Sequence, residues 1–387
     1  MTQGPLAGIR VVEAGRFAAA PSCATVLADW GADVIKLEPP DGDPARGPGS
    51  RAVGEHRVNP RFDVHNRSRR SVALDLTTES GRGDAHRLVA TADVFVTNMR
   101  PSALVRLGLD IATLRGAHPR LIYAQVTGYG LDDPDERPSY DHGAFWSFSG
   151  MADLFRDGSG TPPQPAGGMG DRATGAVLAG GVSAALFRRE RTGDGDHVAV
   201  SLLRTAMWLM ASDVADALRD PDADRPVDRK AASIPTVNCF RCRDGEWIWL
   251  QSMHPDQDWD RLLAAIDAQW LDDDPRFRGG DPHKLTASRT QFVETLDEIF
   301  RKHTAAEWYR RLSDADLVVA PVQRLAAAVR DPLVAASGAL RTMTAPDGTP
   351  YLTVNSPCGF GTDLAEGAPA PRMGADTAAV LAELRQV

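Results

Sequence analysis

Cysteine is scarce in this chain of 387 residues, which has four. So few thiols cannot staple a chain of this length, and a disulfide-rich secreted domain is excluded. Cys239 and Cys242 form a CxxC pair, but the sequence offers no second pair and no histidine at zinc-ligand spacing. We therefore predict no metal site and interpret this segment as a β-hairpin that turns at Asp244 and Gly245.

Long apolar runs and an excess of basic residues are also missing. No stretch approaches the roughly 20 apolar residues that cross a bilayer, and the first residues lack the basic start and apolar core of a signal peptide. Lysine and arginine total 43 against 52 aspartates and glutamates, for a formal net charge of -9. We therefore predict a cytoplasmic protein with no nucleic-acid and no membrane partner, whose ligand is small and anionic.

Several catalytic motifs are absent as well. The chain has no GxxxxGK(S/T) phosphate loop, and Gly167, Gly168 and Gly170 lack the spacing and the preceding strand of a dinucleotide fingerprint. Neither a GxSxG elbow nor an HExxH helix is present. These absences argue against a dinucleotide-dependent dehydrogenase, a serine hydrolase and a zinc protease.

Short β-rich runs alternate with helical runs in the N-terminal half. The predicted strands are residues 9–12, 33–37, 71–74, 94–97 and 121–126, and the predicted helices between them are residues 22–30, 79–90 and 102–107. A further helix is predicted near residues 203–218. This alternation is typical of a mostly parallel sheet covered by helices, so we predict an α/β fold with a large, doubly wound lobe.

The length of the chain predicts more than one domain. Residues 1–215 form the first part of the large domain, and the polar, proline-bearing segment 216–230 has the composition of a linker. A hairpin signal and amphipathic helices in residues 231–320 predict a smaller α+β lobe. Residues 321–387 are expected to return to the large domain.

Asp171 is the most informative single residue. It follows a region, residues 128–170, that is rich in Gly, Pro, Ser and Asp, and it opens a helix of small residues. Aspartate is among the best helix N-caps, so physical chemistry alone favours capping over catalysis. The two roles are compatible, because backbone N–H groups at a helix start would orient a carboxylate nucleophile and keep it ionised.

Several separated segments resemble family III CoA transferases, the group that includes formyl-CoA transferase and, as a divergent branch, alpha-methylacyl-CoA racemase. The matching segments, in the family's order, are residues 5–13, 27–38, 66–76 and 98–109, the Gly170-Asp171 dipeptide and residues 191–195. Residues 144–151 and 200–208 resemble, more loosely, the transferases that act on 2-hydroxy acids or aryl acids. The resemblance covers nearly the whole chain.

The resemblance implies a mechanism and an assembly. Asp171 would attack the donor thioester to give a mixed anhydride, and the departing CoA thiolate would return to form an aspartyl-CoA thioester, which the acceptor acid converts by the reverse steps. The substrates would be acyl-CoA and a carboxylic acid, with no metal, nicotinamide or flavin. A Rossmann-like large lobe, a small lobe and an interlocked homodimer are also implied.

The resemblance also implies CoA-binding residues. Leu74, Asn98 and Arg106 match positions that line the family's CoA pocket, where an arginine has a plausible task in meeting a phosphate. Pro39 stands where relatives often carry an arginine that stacks on adenine. Arg46, or an arginine of the 67–70 cluster, is therefore the alternative candidate for holding adenine.

Four further residues bear on the reaction. Phe17 and Ala18 occupy the entrance positions where formyl-CoA transferase has a residue apposed to the substrate and then an amide side chain, so a roomier or more apolar acyl pocket is expected. Asp141 stands where the racemase branch has its histidine, and His142 follows one position later. This favours a transferase, with a racemase that uses His142 and Asp171 as the alternative and a non-catalytic acyl-CoA-binding homologue as a third.

Overall fold

Six parallel strands form the central sheet of the larger of two units in the computed structural model, which describes residues 4–47, 59–221, 228–361 and 366–385. The strands are β1 (Arg10–Ala14), β2 (Asp33–Glu38), β3 (Arg70–Ala73), β4 (Val94–Thr97), β5 (Ile122–Thr127) and β6 (Asp196–Ser201). Their order is β3-β2-β1-β4-β5-β6, and every neighbouring pair is parallel. The α/β class and the parallel sheet expected from the sequence are confirmed.

Helices cover both faces of this sheet. The helices of this part of the chain are α1 (Ala19–Asp29), α2 (Pro60–Asn66), α3 (Glu79–Ala90), α4 (Pro101–Leu107), α5 (Ile111–Ala117), α6 (Met151–Leu154), α7 (Met169–Thr192), α8 (Leu202–Leu209) and α9 (Ala211–Ala217). Val11 packs in a cluster with residues of α1 and α7, whereas its neighbour Val12 packs in a second cluster with residues of α3. Because alternate residues of a strand point to opposite faces and both faces are covered, the strands read as continuous apolar runs.

Two elements differ from the sequence-based expectation. Strand β6 was not predicted, since it lies at the edge of the sheet and all but its last residue are only partly buried, which removes the apolar signal. The single helix expected near residues 203–218 is two helices, α8 and α9. Met210 leaves helical geometry between them (φ -100°, ψ 26°).

The smaller unit, within residues 153–163 and 224–334, contains an antiparallel sheet. Its strands β7 (Val237–Arg241), β8 (Trp247–Gln251) and β9 (Val319–Pro321) lie beside α10 (Pro255–Ala265), α11 (Pro282–Ala287), α12 (Arg289–Phe300), α13 (Ala305–Asp314) and α14 (Leu325–Ala328). The hairpin turns at Gly245, whose φ is +82°, as the sequence predicts. Burial raises the pKa of the Cys242 thiol to about 11, so it is not a reactive thiolate.

An apolar run over residues 317–322 lies within this smaller unit. Its strand β9 pairs with β8, and the unit extends to Val334. The predicted domain bounds stay a prediction, since the linker at 216–230 lies partly outside the described residues. Among the residues that the structure describes, no helix is both long enough and apolar enough to cross a bilayer.

The C-terminal stretch of the larger unit is bound to its N-terminal half. This stretch begins in the last residues of α15 (Pro332–Ala336) and holds the hairpin of β10 (Leu340–Thr344) and β11 (Pro350–Val354), and α16 (Thr377–Glu383). The amide of Ala370 donates to Asp63 Oδ1 at 2.7 Å, and the Tyr351 hydroxyl donates to Asp63 Oδ2 at 2.9 Å. Arg341 pairs with the buried carboxylate of Asp29 at 3.1 Å, so polar bonds join the last part of the chain to the first.

Helices α1 and α7 approach so closely that a glycine is required between them. A Cβ at position 175 would lie 2.7 Å from the carbonyl oxygen of Ala19 and 2.7 Å from Cβ of Ser22. We expect Gly175→Ala to lower the free energy of unfolding by about 1–3 kcal/mol, because the helices must separate. Urea denaturation followed by circular dichroism measures this difference.

Gly180→Ala is the matched control for this substitution. Gly180 lies on the same helix with no heavy atom within 4 Å of an added Cβ, so alanine there should stabilise the protein by about 0.5–1 kcal/mol. Equal effects of the two substitutions would contradict the packing argument.

Candidate active site

A cavity of about 450 Å³ opens where β1, β4 and β5 end. These carboxyl ends flank the point at which the strand order reverses, between β1 and β4, where open α/β sheets usually bind their ligands. Phe17, Ala18, Asn98 and Asp171 all line the cavity. The structure thus brings together four residues that the sequence predicts for the site.

A second cavity, of about 460 Å³, opens where β1, β2 and β3 end. Arg16 and Met99 line both cavities, so the two are neighbours along the same edge of the sheet. Residues 37–41 and 75–77 form part of the wall of this second cavity. Together the cavities offer room for an elongated ligand along this edge.

Asp171 lies in the first turn of α7, but it does not cap that helix. The helix begins after Gly168, whose φ is +78°. The Gly168 amide donates to Asp141 Oδ2 at 2.7 Å, and the Asp171 amide donates to Asp141 Oδ1 at 3.2 Å. The capping role that the sequence assigns to Asp171 therefore belongs to Asp141, and the Asp171 carboxylate is left for the cavity.

Glycine at position 170 is a consequence of this arrangement. A Cβ there would collide with Asp141 Oδ1 and with the ring of Phe145. Asp141 and Phe145 belong to a π-helix over Asp141–Ser147, an unusual element that often marks functional sites. In the Gly170-Asp171 dipeptide, only glycine fits at the first position, and the second position supplies the carboxylate that lines the cavity.

The pKa of Asp171 is raised to about 6. Burial is the largest cause, the negative charge of Asp141 adds to it, and the positive charges of Arg172 and His142 act against it. The expectation that backbone N–H groups keep this carboxylate ionised is wrong, because those groups bond to Asp141 instead. Asp171 still carries its charge in most molecules at pH 7, since that pH lies about one unit above its pKa.

Asp141 and His142 do not line the cavity. Asp141 is buried beneath the start of α7. His142 is exposed, and its Nε2 lies 3.3 Å from the carbonyl oxygen of Pro165. Asp141 therefore acts on Asp171 through position and charge, while His142 bonds to the backbone of the loop.

Phe17 and Asn98 form one wall of the first cavity. Phe17 has a left-handed backbone (φ +62°), and its ring meets the ring of Tyr140 edge-on at a centroid distance of 5.6 Å. The Asn98 side chain accepts a hydrogen bond from the Arg16 amide and donates one to the Arg16 carbonyl, both at 2.9 Å. Asn98 thus fixes the peptide that leads into Phe17.

Three other predicted CoA-binding residues lie elsewhere. Leu74 is buried in the apolar core beside the sheet, and Arg106 is exposed on α4, outside both cavities. Arg46 makes a bidentate bond to Glu38, at 2.7 and 2.6 Å, and its guanidinium lies 4.2 Å above the ring of Phe62. Their roles toward CoA stay predictions, and an Arg46 that held adenine would first have to leave Glu38.

Three arginines that line the first cavity were missed from the sequence. They are Arg16, Arg100 and Arg137. Arg16 follows shortly after the end of β1, and Arg100 follows shortly after the end of β4. The carboxyl ends of parallel strands meet at one edge of a sheet. That rule could have identified both, whereas Arg137 comes from the long irregular region and carries no such signal.

The described residues show no cluster that could hold a metal ion. Within the described parts of the chain, no group of three or more His, Cys, Asp or Glu side chains is arranged to hold a metal ion. The cavity combines the Asp171 carboxylate, whose pKa is raised, with two further acidic residues, Asp133 and Glu136, and with guanidinium groups and aromatic rings. A carboxylate in such surroundings is suited to nucleophilic attack on an electrophilic carbonyl.

Known proteins resemble this chain over nearly its full length. It is 31% identical to (R)-2-hydroxy-4-methylpentanoate CoA-transferase of Clostridioides difficile, covering 98% of this chain and 95% of that protein. It is 31% identical to cinnamoyl-CoA:phenyllactate CoA-transferase of Clostridium sporogenes, covering 97% of this chain and 92% of that protein.

Solved structures agree with these sequence relatives. A CAIB/BAIF family protein from Brucella suis superposes with a TM-score of 0.85 at 29% identity, covering 99% of this chain and all of that one. Rv3272 from Mycobacterium tuberculosis superposes with a TM-score of 0.84 at 29% identity, covering 98% of this chain and 99% of that one. Residues 6–377 match the sequence profile of CoA-transferase family III, and the chain belongs to that family.

Proposed function

We propose that the chain is an acyl-CoA:carboxylate CoA-transferase in which Asp171 is transiently acylated. The observation that carries the proposal is the Asp171 carboxylate itself, which lines the cavity at the sheet edge while Asp141 caps its helix. A carboxylate that must also satisfy helix N–H groups would be a weaker nucleophile. Asp171 is spared that task.

The proposed reaction runs in two halves. An Asp171 oxygen attacks the thioester carbonyl of the donor, which gives a mixed anhydride and CoA thiolate. The thiolate then attacks the Asp171 carbonyl, which releases the donor acid and leaves an aspartyl-CoA thioester. The acceptor carboxylate repeats these steps in reverse order, so acyl-CoA of the acceptor leaves and the Asp171 carboxylate is regenerated.

The CoA moiety is proposed to follow the two neighbouring cavities. Guanidinium groups bind phosphates well, and Arg16, Arg100 and Arg137 line the cavity that contains Asp171. Leu74, Asn98 and Arg106 keep their proposed places in CoA binding on the strength of the family resemblance. The proposal needs no metal, nicotinamide or flavin.

The acyl group is proposed to be apolar and either branched or aromatic. Phe17, Tyr129 and Tyr140 bring aromatic rings to the cavity, and such rings favour a bulky acid over formate or oxalate. The two relatives from clostridia are named for 2-hydroxy-4-methylpentanoate, cinnamate and phenyllactate. Acids of this class are the proposed donors and acceptors.

An interlocked homodimer in the cytoplasm completes the proposal. Large apolar side chains are exposed on each unit of the single chain: Trp208 is 76% exposed in the larger unit, and Leu325 is 79% exposed in the smaller one. Water-exposed side chains of this kind favour burial against a second copy.

The racemase and the non-catalytic binder are the competing functions. A racemase requires His142 to face the α-carbon of the substrate, whereas its Nε2 lies 3.3 Å from the Pro165 carbonyl oxygen. A non-catalytic binder would have no use for a carboxylate that lines the cavity. Neither has a specific observation in its favour.

Intact-protein mass spectrometry tests the transferase. After incubation with cinnamoyl-CoA or 4-methylpentanoyl-CoA, we expect a covalent adduct of CoA mass that hydroxylamine removes, and Asp171→Asn should form none. Asp194→Asn, which changes an exposed aspartate beyond the other end of α7, is the matched control and should keep the adduct.

Other outcomes of this experiment identify the alternatives. Deuterium exchange at the α-carbon of a 2-methylacyl-CoA without any adduct would replace the transferase with the racemase. Tight acyl-CoA binding with neither adduct nor exchange would indicate the non-catalytic binder.

The rate of adduct formation should depend on pH. Only the ionised carboxylate attacks, so the rate should fall as the pH falls through about 6, the pKa of Asp171. Asp141→Asn removes a negative charge that raises this pKa, so the midpoint should move to lower pH. Mass spectrometry of samples quenched at successive times, between pH 4.5 and 8, measures the midpoint. An unchanged or higher midpoint in Asp141→Asn would contradict the assignment of Asp171 as the titrating nucleophile.

A further inference from the structure

The turn formed by Gly15, Arg16 and Phe17 is held in a conformation that its sequence does not favour. Phe17 has a φ of +62°, in the left-handed region that residues with a Cβ rarely adopt. Such strain persists only where the surroundings over-determine the backbone, and it concentrates at functional sites. Arg16 and Phe17 line the cavity that contains Asp171.

Three fully buried charges lie beneath this turn. Lys36 Nζ lies 3.1 Å from Glu13 Oε2 and 3.0 Å from Asp43 Oδ2, and the three side chains are 0%, 0% and 1% exposed. Glu13 has a second cation, since Arg69 Nη1 lies 2.9 Å from its Oε2. Arg69 already neutralises the charge of Glu13, so Lys36 is not required for that purpose.

Both ends of the buried group bond to the backbone of the turn. Lys36 Nζ donates to the Gly15 carbonyl at 3.1 Å. The Phe17 amide donates to Asp43 Oδ1 at 3.2 Å, and the Ala45 amide donates to the same oxygen at 2.9 Å. The Asn98 side chain bonds to the amide and the carbonyl of Arg16. The backbone of each residue in the turn is therefore hydrogen-bonded to a side chain.

We infer that Lys36 and Asp43 are positioning residues whose buried ion pair keeps Phe17 in its left-handed turn, so that this wall of the cavity is fixed beside Asp171. The inference rests on the proposed transferase reaction. The ion pair acts through the backbone and does not touch the substrate. A displaced wall would leave the thioester carbonyl badly oriented toward Asp171, and misplacements of about 1 Å can cost about 100-fold in rate.

If the ion pair between Lys36 and Asp43 only stabilised the fold, the experiments below would give different results. A buried ion pair is weak evidence of stabilisation, because removing the charges from water costs about as much as their attraction returns. The ion pair is inferred to fix the φ angle of Phe17, so substitutions are made at position 17 as well as at the ion pair.

Phe17→Gly and Phe17→Ala measure whether the turn is imposed. Both lose the ring, but only glycine adopts a positive φ without strain. If the buried group imposes the turn, Phe17→Gly should melt at a higher temperature than Phe17→Ala by a few degrees. In an unconstrained loop alanine is the more stabilising residue, so a higher melting temperature for alanine would overturn the inference. This comparison needs no activity.

A double-mutant cycle links the ion pair to the reaction. Asp43→Asn keeps an oxygen for the Phe17 amide and removes the charge that Lys36 meets. We expect it to slow adduct formation on Asp171 by about 10-fold or more with Phe17 present, and by less than about 2-fold in the Phe17→Gly background. Effects that multiply independently would overturn the inference.

Asp33→Asn is the matched control for this cycle. Asp33 begins β2, the strand that carries Lys36, but it pairs at the surface with Arg10 and Arg70 and should change the rate by less than about 2-fold. Absence of any adduct in the unmodified protein would refute the proposed function. A normal adduct that Asp43→Asn leaves unchanged would refute only the positioning role, and if Asp43→Asn does not fold, the melting comparison at position 17 decides.

Discussion

The candidate site depends on one interaction, the bond between the Asp141 carboxylate and the first amides of α7. Both of its oxygens accept backbone N–H groups, from Gly168 and Asp171. A helix start left without such a partner would take the nearest acidic side chain, which is Asp171 itself. Because Asp141 comes from a different element, the π-helix over Asp141–Ser147, the helix is capped and the second carboxylate remains available.

This arrangement has a thermodynamic cost. The pKa of Asp171 lies near 6 in the folded protein against 3.8 for the free side chain, so the folded state binds this proton more tightly than the unfolded state does. The carboxyl group therefore lowers stability progressively as the pH rises from about 4 to 6, and the full penalty applies above that range. Two pKa units correspond to a destabilisation on the order of 3 kcal/mol, which the packing of α1 against α7 and the sheet must offset.

The sequence predicts the fold well where burial is continuous. Strands β1 to β5 and helices α1, α3 and α4 lie within a few residues of their predicted positions, because each combines an apolar run with a clear turn on either side. Strand β6 and the break at Met210 escape because an edge strand and a local bend leave no apolar period.

The candidate site, like the fold, was predicted from the sequence only in part. Asp171, Phe17, Ala18 and Asn98 were predicted from matching motifs and do share one cavity. That Asp141 performs the capping depends on a contact between residues 30 positions apart, and the engagement of Arg46 by Glu38 depends on side-chain geometry, so neither can be read from local pattern. The strain at Phe17 is likewise invisible in sequence, since phenylalanine gives no hint of a positive φ.

The polar bonds at Asp63 and Asp29 have a consequence for how the chain is made. Asp63 lies in α2, yet its two carboxylate oxygens receive their donors from Ala370 and Tyr351, roughly 300 residues later. Asp29 also pairs with Arg67 at 2.7 Å, but both hydrogen-bond donors to the Asp63 side chain are synthesised after the smaller unit, which ends at Val334. The buried carboxylate of Asp63 therefore gains its hydrogen-bond donors only after the whole smaller unit has been synthesised.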